Sequence, residues 1–292
     1  MSAVPPRAPF DISASPARLS AGEAALLLTE LDYGILAIAS RLRVVTQTQL
    51  ERLHPDVPGR TLRYRTQRLR RSGFLGRTRP YRDRGSAPSH YWPTNRADAL
   101  LRGDPPPRRG ERRAPNPLFL AHTAAVSELY VVLRTQGREA GLELGDFRRE
   151  GEAREVFTDA DGATRAIAPD ARIALREPHG GVLLGHVELD LGTMPHGRLR
   201  SKLQRYVAHA EQRHLTADGQ VVPALLLITT SAQRAETFLD TAERLRSTRE
   251  AREELQIVAC ASARQLDGVL ADRRWQIASG QPARTLRECL KS

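Results

Sequence analysis

The sequence predicts a mixed α and β chain: an N-terminal winged helix-turn-helix, then an α/β domain with a mixed sheet. Three observations predict this. Before residue 103, three helical patterns lead into a strand, a loop and a returning strand. The stretch Gly103 to Pro117 is rich in Pro and Arg, as an extended, exposed linker should be. Beyond it the patterns run helix, three strands, helix, strand, helix, strand. The expected division is a loosely held leader over 1–20, a first domain over 21–102, a linker over 103–117 and a second domain over 118–292.

Charge sharpens the division. Up to residue 115 there are 21 Arg against 10 Asp and Glu, a net of +11, whereas the remainder balances at 24 basic and 24 acidic residues. Arg-rich composition alone would not confine the excess to one end. Concentrated positive charge attracts polyphosphate, so the first domain is the expected nucleic-acid binder, with double-stranded DNA as partner. No apolar run reaches the roughly 18 residues of a membrane span. The first 20 residues hold no basic start followed by an apolar core, so the default location is cytoplasmic. Cys260 and Cys289 show no disulfide or zinc spacing and read as two ordinary thiols.

In the first domain, Leu26, Leu27, Leu28, Leu31, Ile35, Leu36 and Ile38 recur at helical spacing, with Thr29 as the N-cap. Arg43 to Val45 reads as extended, and Thr46 caps a second helix over Gln47 to Leu53. A third helix runs from about Arg60 to Arg71 and is closed by Gly73. A strand from Phe74, a turn-rich loop and a return strand at His90 to Pro93 form the wing. Thr94 caps a closing helix over Arg96 to Leu101.

On the third helix, Leu62, Thr66 and Leu69 share one face and should pack inward. The opposite face carries Arg60, Arg63, Tyr64, Gln67, Arg68 and Arg71, with Arg65 and Arg70 nearby, and the wing adds Arg77, Arg79, Arg82 and Arg84. A charged helix face is often only solvated. Here no acid lies between Arg60 and Arg82, which favours contact with DNA phosphates and base edges.

In the second domain, a helix over Leu118 to Leu133 carries His122 and Glu128. Strands follow at Leu142 to Phe147, Ala166 to Leu175 and Val182 to Leu191, then a helix from about Arg198 to His214. A strand over Val221 to Thr229, a helix over Ala232 to Ser247 and a strand over Leu255 to Ala261 complete it. Pairing of the second and third strands through a Glu177–Gly181 turn would set Asp170 beside Glu188 and Asp190. Residues two apart on a strand face the same way, so the three carboxylates of Asp170, Glu188 and Asp190 are expected to meet. Acids beside apolar strands are costly unless they hold a metal, a cation or several donors. Oxygen ligands few in number suit Mg²⁺ or Mn²⁺, with Glu150 or Glu152 as a further donor. Lys202, one of two lysines, lies four residues before Tyr206 on one helix face and could stabilise charge at such a site. The competing reading is structural, with these acids only paired to Arg and Lys at a sheet end. His186, His196, His209 and His214 show no ligand spacing.

Three blocks together resemble the plasmid replication-relaxation family: LDYGILAIASRLRVVTQTQLERL with RLRRSGFLGR, then LAHTAAVSELYVVL, then APDARI, HVELDLGTM and LRSKLQRY. The resemblance runs from about Leu28 to Thr230 and is most specific in the last block. It implies a winged helix followed by a domain similar to the PD-(D/E)XK, restriction-endonuclease-like superfamily, and a role in plasmid replication, relaxation or mobilisation. It also implies replication or relaxase proteins as partners, with a homodimer left open. Asp170 and Glu188 match the superfamily's metal-binding acids. Where that pattern has lysine two residues after the acid, this chain has Asp190, and Lys202 is the substitute on offer. Three functions stay open: a DNA-binding protein of a plasmid or mobile element, a metal-dependent nuclease or nickase, and a transcriptional regulator with an inactive nuclease-like domain.

Overall fold

Threonines set the helix starts of the first unit. Thr29 accepts from the Asp32 amide and Asp32 accepts in return from the Thr29 amide at 2.9 Å, a reciprocal cap that opens α1 (Glu30–Leu42). Thr46 and Gln49 repeat the device at α2 (Gln47–Leu53), and Thr94 caps α4 (Asn95–Arg102). Between them, α3 (Gly59–Arg71) closes where Gly73 takes a φ of +74°. The Phe74 amide then reaches the Leu69 carbonyl at 2.9 Å and the Gly73 amide the Arg70 carbonyl at 3.0 Å, which satisfies the last carbonyls of the helix.

The computed structural model describes residues 28–81, 85–105, 115–216, 222–246, 255–263 and 265–290. The expected leader, Leu26, Leu27, Arg82, Arg84 and most of the Pro- and Arg-rich stretch lie outside them. The chain divides into two compact units, Met1–Pro115 and Asn116–Ser292.

In the first unit, β1 (Val45–Thr46), β2 (Leu75–Thr78) and β3 (His90–Pro93) form a sheet in the order β1-β3-β2, antiparallel throughout. Ile35, Leu36, Leu42, Leu50, Leu62 and Leu69 are all fully buried, so the apolar stripe of each helix faces one core. Thr66 is buried with Leu62 and Leu69, as the helical spacing requires. Gly76 pairs with Trp92 across β2 and β3, and the indole lies over it. A methyl group at Gly76 would collide with the indole ring.

The second unit starts from α5 (Pro117–Gln136), capped by Asn116 with Pro117 in its first turn. Its main sheet has six strands in the order β11-β10-β9-β8-β7-β4. These are β4 (Glu143–Arg149), β7 (Ala171–Arg176), β8 (Val182–Leu189), β9 (Ala224–Ile228), β10 (Ile257–Cys260) and β11 (Trp275–Gln276). β8 runs parallel to β9 and β9 to β10, while the other neighbours are antiparallel, so the sheet is mixed. Helices α7 (His196–Thr216) and α8 (Ala232–Arg246) share a core with Leu225, Leu227, Ile257 and Ala259. Glu188 is in register with Leu227, so it faces that helical layer. A short α6 (Glu150–Ala153), a hairpin of β5 (Glu155–Thr158) with β6 (Thr164–Ile167), and α9 (Leu286–Leu290) complete the described elements.

The expected strand over Ala166 to Leu175 is two strands. β6 ends at Ile167 and β7 begins at Ala171, with Pro169 between them. Proline has no amide hydrogen to offer a ladder and fixes its own φ, so the chain turns there. Asp170 therefore precedes β7 rather than lying in it. The expected Glu177–Gly181 turn is present, with the Glu177 amide on the Gly181 carbonyl at 2.8 Å. β8 stops at Leu189, which leaves Asp190 just past the strand rather than inside it. Among the described residues no helix is long and apolar enough to cross a membrane.

Gly76→Ala is expected to lower stability by roughly 1–3 kcal/mol through the forced displacement of Trp92. The readout is the urea midpoint of the full chain. An unchanged midpoint would contradict the packing of the indole on Gly76.

Candidate functional site

The β7–β8 register brings the predicted acids to one end of the sheet. Ala171 pairs with Val187, and the Asp170 amide donates to the Val187 carbonyl at 3.0 Å, so Asp170 lies beside Glu188. Asp170 Oδ2 accepts from the Leu189 amide at 2.8 Å and from His122 Nε2 at 3.2 Å, and the same ring nitrogen is 3.1 Å from the Leu189 carbonyl. Burial opposes ionisation of Asp170. The His122 hydrogen bond, the Lys202 charge and the Leu189 amide outweigh it and hold the carboxyl below its ordinary range. His122 is pushed the other way, upward, mainly by that hydrogen bond to Asp170.

Glu188 is 4 % exposed, and α7 meets both its oxygens. Lys202 Nζ donates to Oε2, and the Tyr206 hydroxyl donates to Oε1 at 2.5 Å. These donors are four residues apart, one helical turn, which is why one face of α7 can serve both oxygens. Burial pushes the Glu188 carboxyl up to about 7, Lys202 pulls it back down, and the neighbouring Asp170 charge adds to the rise. Lys202 thus reaches the acids from the helix after the strand.

Asp190 does not join them. It faces the same helical layer as Glu188, as the two-residue spacing requires, but its carboxylate turns to α8. Arg234 Nε donates to Oδ2, and Arg234 Nη2 donates to the Met194 carbonyl at 2.6 Å. Oδ1 accepts from the Gly192 amide at 3.0 Å and from the Met194 amide at 3.4 Å. A buried carboxylate takes the strongest donors within reach, and for Asp190 these lie on α8 and its own loop. Among the described residues no three His, Cys, Asp or Glu side chains are disposed to hold a metal ion. The expected trio of Asp170, Glu188 and Asp190 is therefore a pair, with Lys202 as its cation. Glu150 and Glu152 lie on α6 and do not line the cleft at Asp170.

That cleft has a volume of about 430 Å³. Asp170, Asp190, His122 and Tyr206 line it, and so do Arg198, Lys202 and Arg205 of α7; Glu188 lies behind Lys202 and Tyr206. An acidic floor under a basic wall suits an anionic ligand whose charge is met in part by Lys202.

Sequence reasoning did not find a further carboxylate, half-buried and multiply paired. Glu155, at the start of β5, binds His186 Nε2 at 3.2 Å and Arg172 at 3.4 Å on the sheet, and His209 Nε2 at 3.0 Å and Arg213 at 3.1 Å on α7. Burial of Glu155 is opposed by these donors, which together hold its carboxyl far below the ordinary range. The only trace in sequence is the spacing of His209 and Arg213 on one face of α7. Arg234 and His122 were likewise invisible as partners, since nothing local marks them.

In the first unit, Arg60, Arg63, Tyr64, Gln67, Arg70 and Arg71 are exposed on α3, and Arg68 is half-buried. Arg77 donates to Ser89 Oγ and Arg79 to Ser86 Oγ, both at 3.0 Å, and both arginines are exposed. Arg65 turns inward to the fully buried Asp32 at 3.2 Å. Cys260 and Cys289 are both free thiols, and both are buried.

Residues 36–225 match the replication-relaxation family, and the chain belongs to it. Membership links the chain to replication or relaxation of a plasmid or mobile element. No curated protein and no solved structure matches it.

Glu188 gives a pH signature. Its folded value of about 7 lies above the ordinary 4.5, so between these the folded state binds the extra proton. Its stabilising contribution is full below about pH 4.5 and is lost as pH rises through about 7. With chelator present, the stability of wild type relative to Glu188→Gln is expected to fall by roughly 1–3 kcal/mol between pH 5 and pH 8. A constant difference across that range would contradict the raised value.

Proposed function

We propose that this chain is a DNA-binding protein of a plasmid or mobile element, acting in its replication, relaxation or mobilisation. The first unit is a winged helix-turn-helix. Helix α3 is its recognition helix and the β2–β3 hairpin its wing. The observation that carries this reading is the division of α3: Leu62, Thr66 and Leu69 buried, Arg60, Arg63, Tyr64, Gln67 and Arg71 exposed, with no acid on the helix. Exposed arginines along one face of a folded helix present their charge to phosphate in a fixed register. Arg77 and Arg79 extend the basic surface along the hairpin.

Replacing Arg60, Arg68 and Arg71 together by Ala is expected to weaken duplex binding at least about tenfold at moderate salt and to reduce the salt slope by roughly 2–3. Fluorescence anisotropy across a salt series reads both. Equal affinity and slope in the variant would remove the recognition-helix assignment.

A second reading gives the second unit a chemical role: a PD-(D/E)XK-like domain acting as a metal-dependent nuclease or nickase. The pairing of Asp170 beside Glu188, with Lys202 on Glu188 and with Asp170 and Lys202 lining one cleft, supports it. Asp170 and Glu188 would hold Mg²⁺ or Mn²⁺, which when bound supplies Lewis-acid activation of water and phosphate. Lys202 would give up its contact with Glu188 and neutralise charge on the phosphate, while Tyr206 keeps the carboxylate oriented. Asp190 lines the same cleft, with its carboxylate held by Arg234.

Supercoiled plasmid incubated with the chain and Mn²⁺ or Mg²⁺ is expected to become nicked, and Asp170→Ala, Glu188→Ala or Lys202→Ala to abolish nicking. Intact plasmid with both metals would reduce the second unit to binding alone. Footprinting of its own promoter with uncut DNA would then favour a transcriptional regulator.

A further inference from the structure

We infer that Arg63 is the base-reading residue of the first unit, directed to a guanine, and that Glu51 is the residue that positions it. This rests on the reading of α3 as a recognition helix. The arginines of α3 are not held alike. Among the described residues no hydrogen bond or ion pair engages the side chain of Arg60, Arg70 or Arg71. Arg63, by contrast, donates from Nη1 to Glu51 Oε1 at 2.9 Å while staying 62 % exposed.

Glu51 is itself fixed. Its Oε1 also accepts from Gln47 Nε2 at 3.1 Å, and Gln47 is buried. Gln47 Oε1 in turn accepts from the Tyr91 hydroxyl at 3.2 Å, and Thr66 Oγ1 lies 3.3 Å from each. A chain of hydrogen bonds therefore runs from the buried junction of α2, α3 and β3 out to one exposed guanidinium. Gly59 leaves room for it, since a Cβ there would sit 3.0 Å from Glu51 Oε1 and 3.4 Å from Arg63 Nη1.

The chemistry of the held group selects its target. A guanidinium offers five N–H donors in a planar fork, and Glu51 takes one of them, on Nη1. The donors left over can engage two acceptors in one plane, which is what O6 and N7 of guanine present in the major groove. Arg63 is in the N-terminal half of α3, where recognition helices meet base edges. A swinging arginine loses side-chain freedom on docking and suits a phosphate, which is accepted in many orientations. A pre-aimed one loses little and suits a base edge.

The test is selection of bound duplexes from a random-sequence pool by the full chain, compared with Arg63→Lys and Glu51→Gln. Wild type is expected to select a site with one strongly preferred guanine. Both variants are expected to flatten the preference at that position by about tenfold, read as the ratio of affinities for the selected guanine and for the other three bases there. Lysine in place of Arg63 keeps the charge but loses the fork. Glutamine in place of Glu51 keeps the size but loses the anionic anchor, so neither result would follow from a merely structural ion pair. Unchanged base preference in both variants, with binding intact, overturns this proposal alone. Absence of duplex binding by wild type overturns the DNA-binding reading and the proposal with it.

Discussion

A carboxylate buried under a helix organises the second unit. Glu188 belongs to β8, next to the parallel core of the sheet, and its side chain faces apolar packing. An ion there costs several kcal/mol unless strong donors meet it. Lys202 and Tyr206 do so, and their common helix face fixes the rotation of α7 over the sheet. Leu199, Leu203 and Val207 then fall inward, on the shared core. Glu155 pins the other half of α7 through His209 and Arg213. Held by the buried Glu188 and the half-buried Glu155, α7 presents Arg198, Lys202 and Arg205 to the cleft at Asp170.

The first unit relies on a different economy of charge. It has few acids, and the pairs they make sort its arginines by task. Asp32 draws Arg65 inward against α1, and Glu51 holds Arg63 at the surface. Among the described residues Arg60, Arg70 and Arg71 of α3 make no side-chain hydrogen bond or ion pair. Shape is left to the apolar stripe and the threonine caps, which operate regardless of charge.

Much of the architecture was legible because it rests on local rules. Thr29, Thr46 and Thr94 cap the helices they were expected to cap, and Leu62, Thr66 and Leu69 point inward by spacing alone. The Glu177–Gly181 turn gave the β7–β8 register and so the meeting of Asp170 with Glu188. Less visible was the break at Pro169, where an apolar run hid two strands of different sheets. The β5–β6 hairpin was missed for a related reason: its faces are largely exposed, so no clean alternation marks it.

By itself the sequence determined where the longer helices lie and three of their N-caps, the inward face of α3, the hairpin that joins two acids, and the confinement of excess charge to one end of the chain. These follow from the chemistry of residues within a few positions of one another. Only the tertiary structure decided which partner each of these acids would take. Glu188 found Lys202 at a separation of 14 residues, Asp190 found Arg234 at 44, and Asp170 found His122 at 48. Glu188 and Asp190 point the same way from neighbouring positions and still part company, because α7 covers one and α8 the other. Ion pairing depends on distance in space, and two helices packed on one sheet set that distance here.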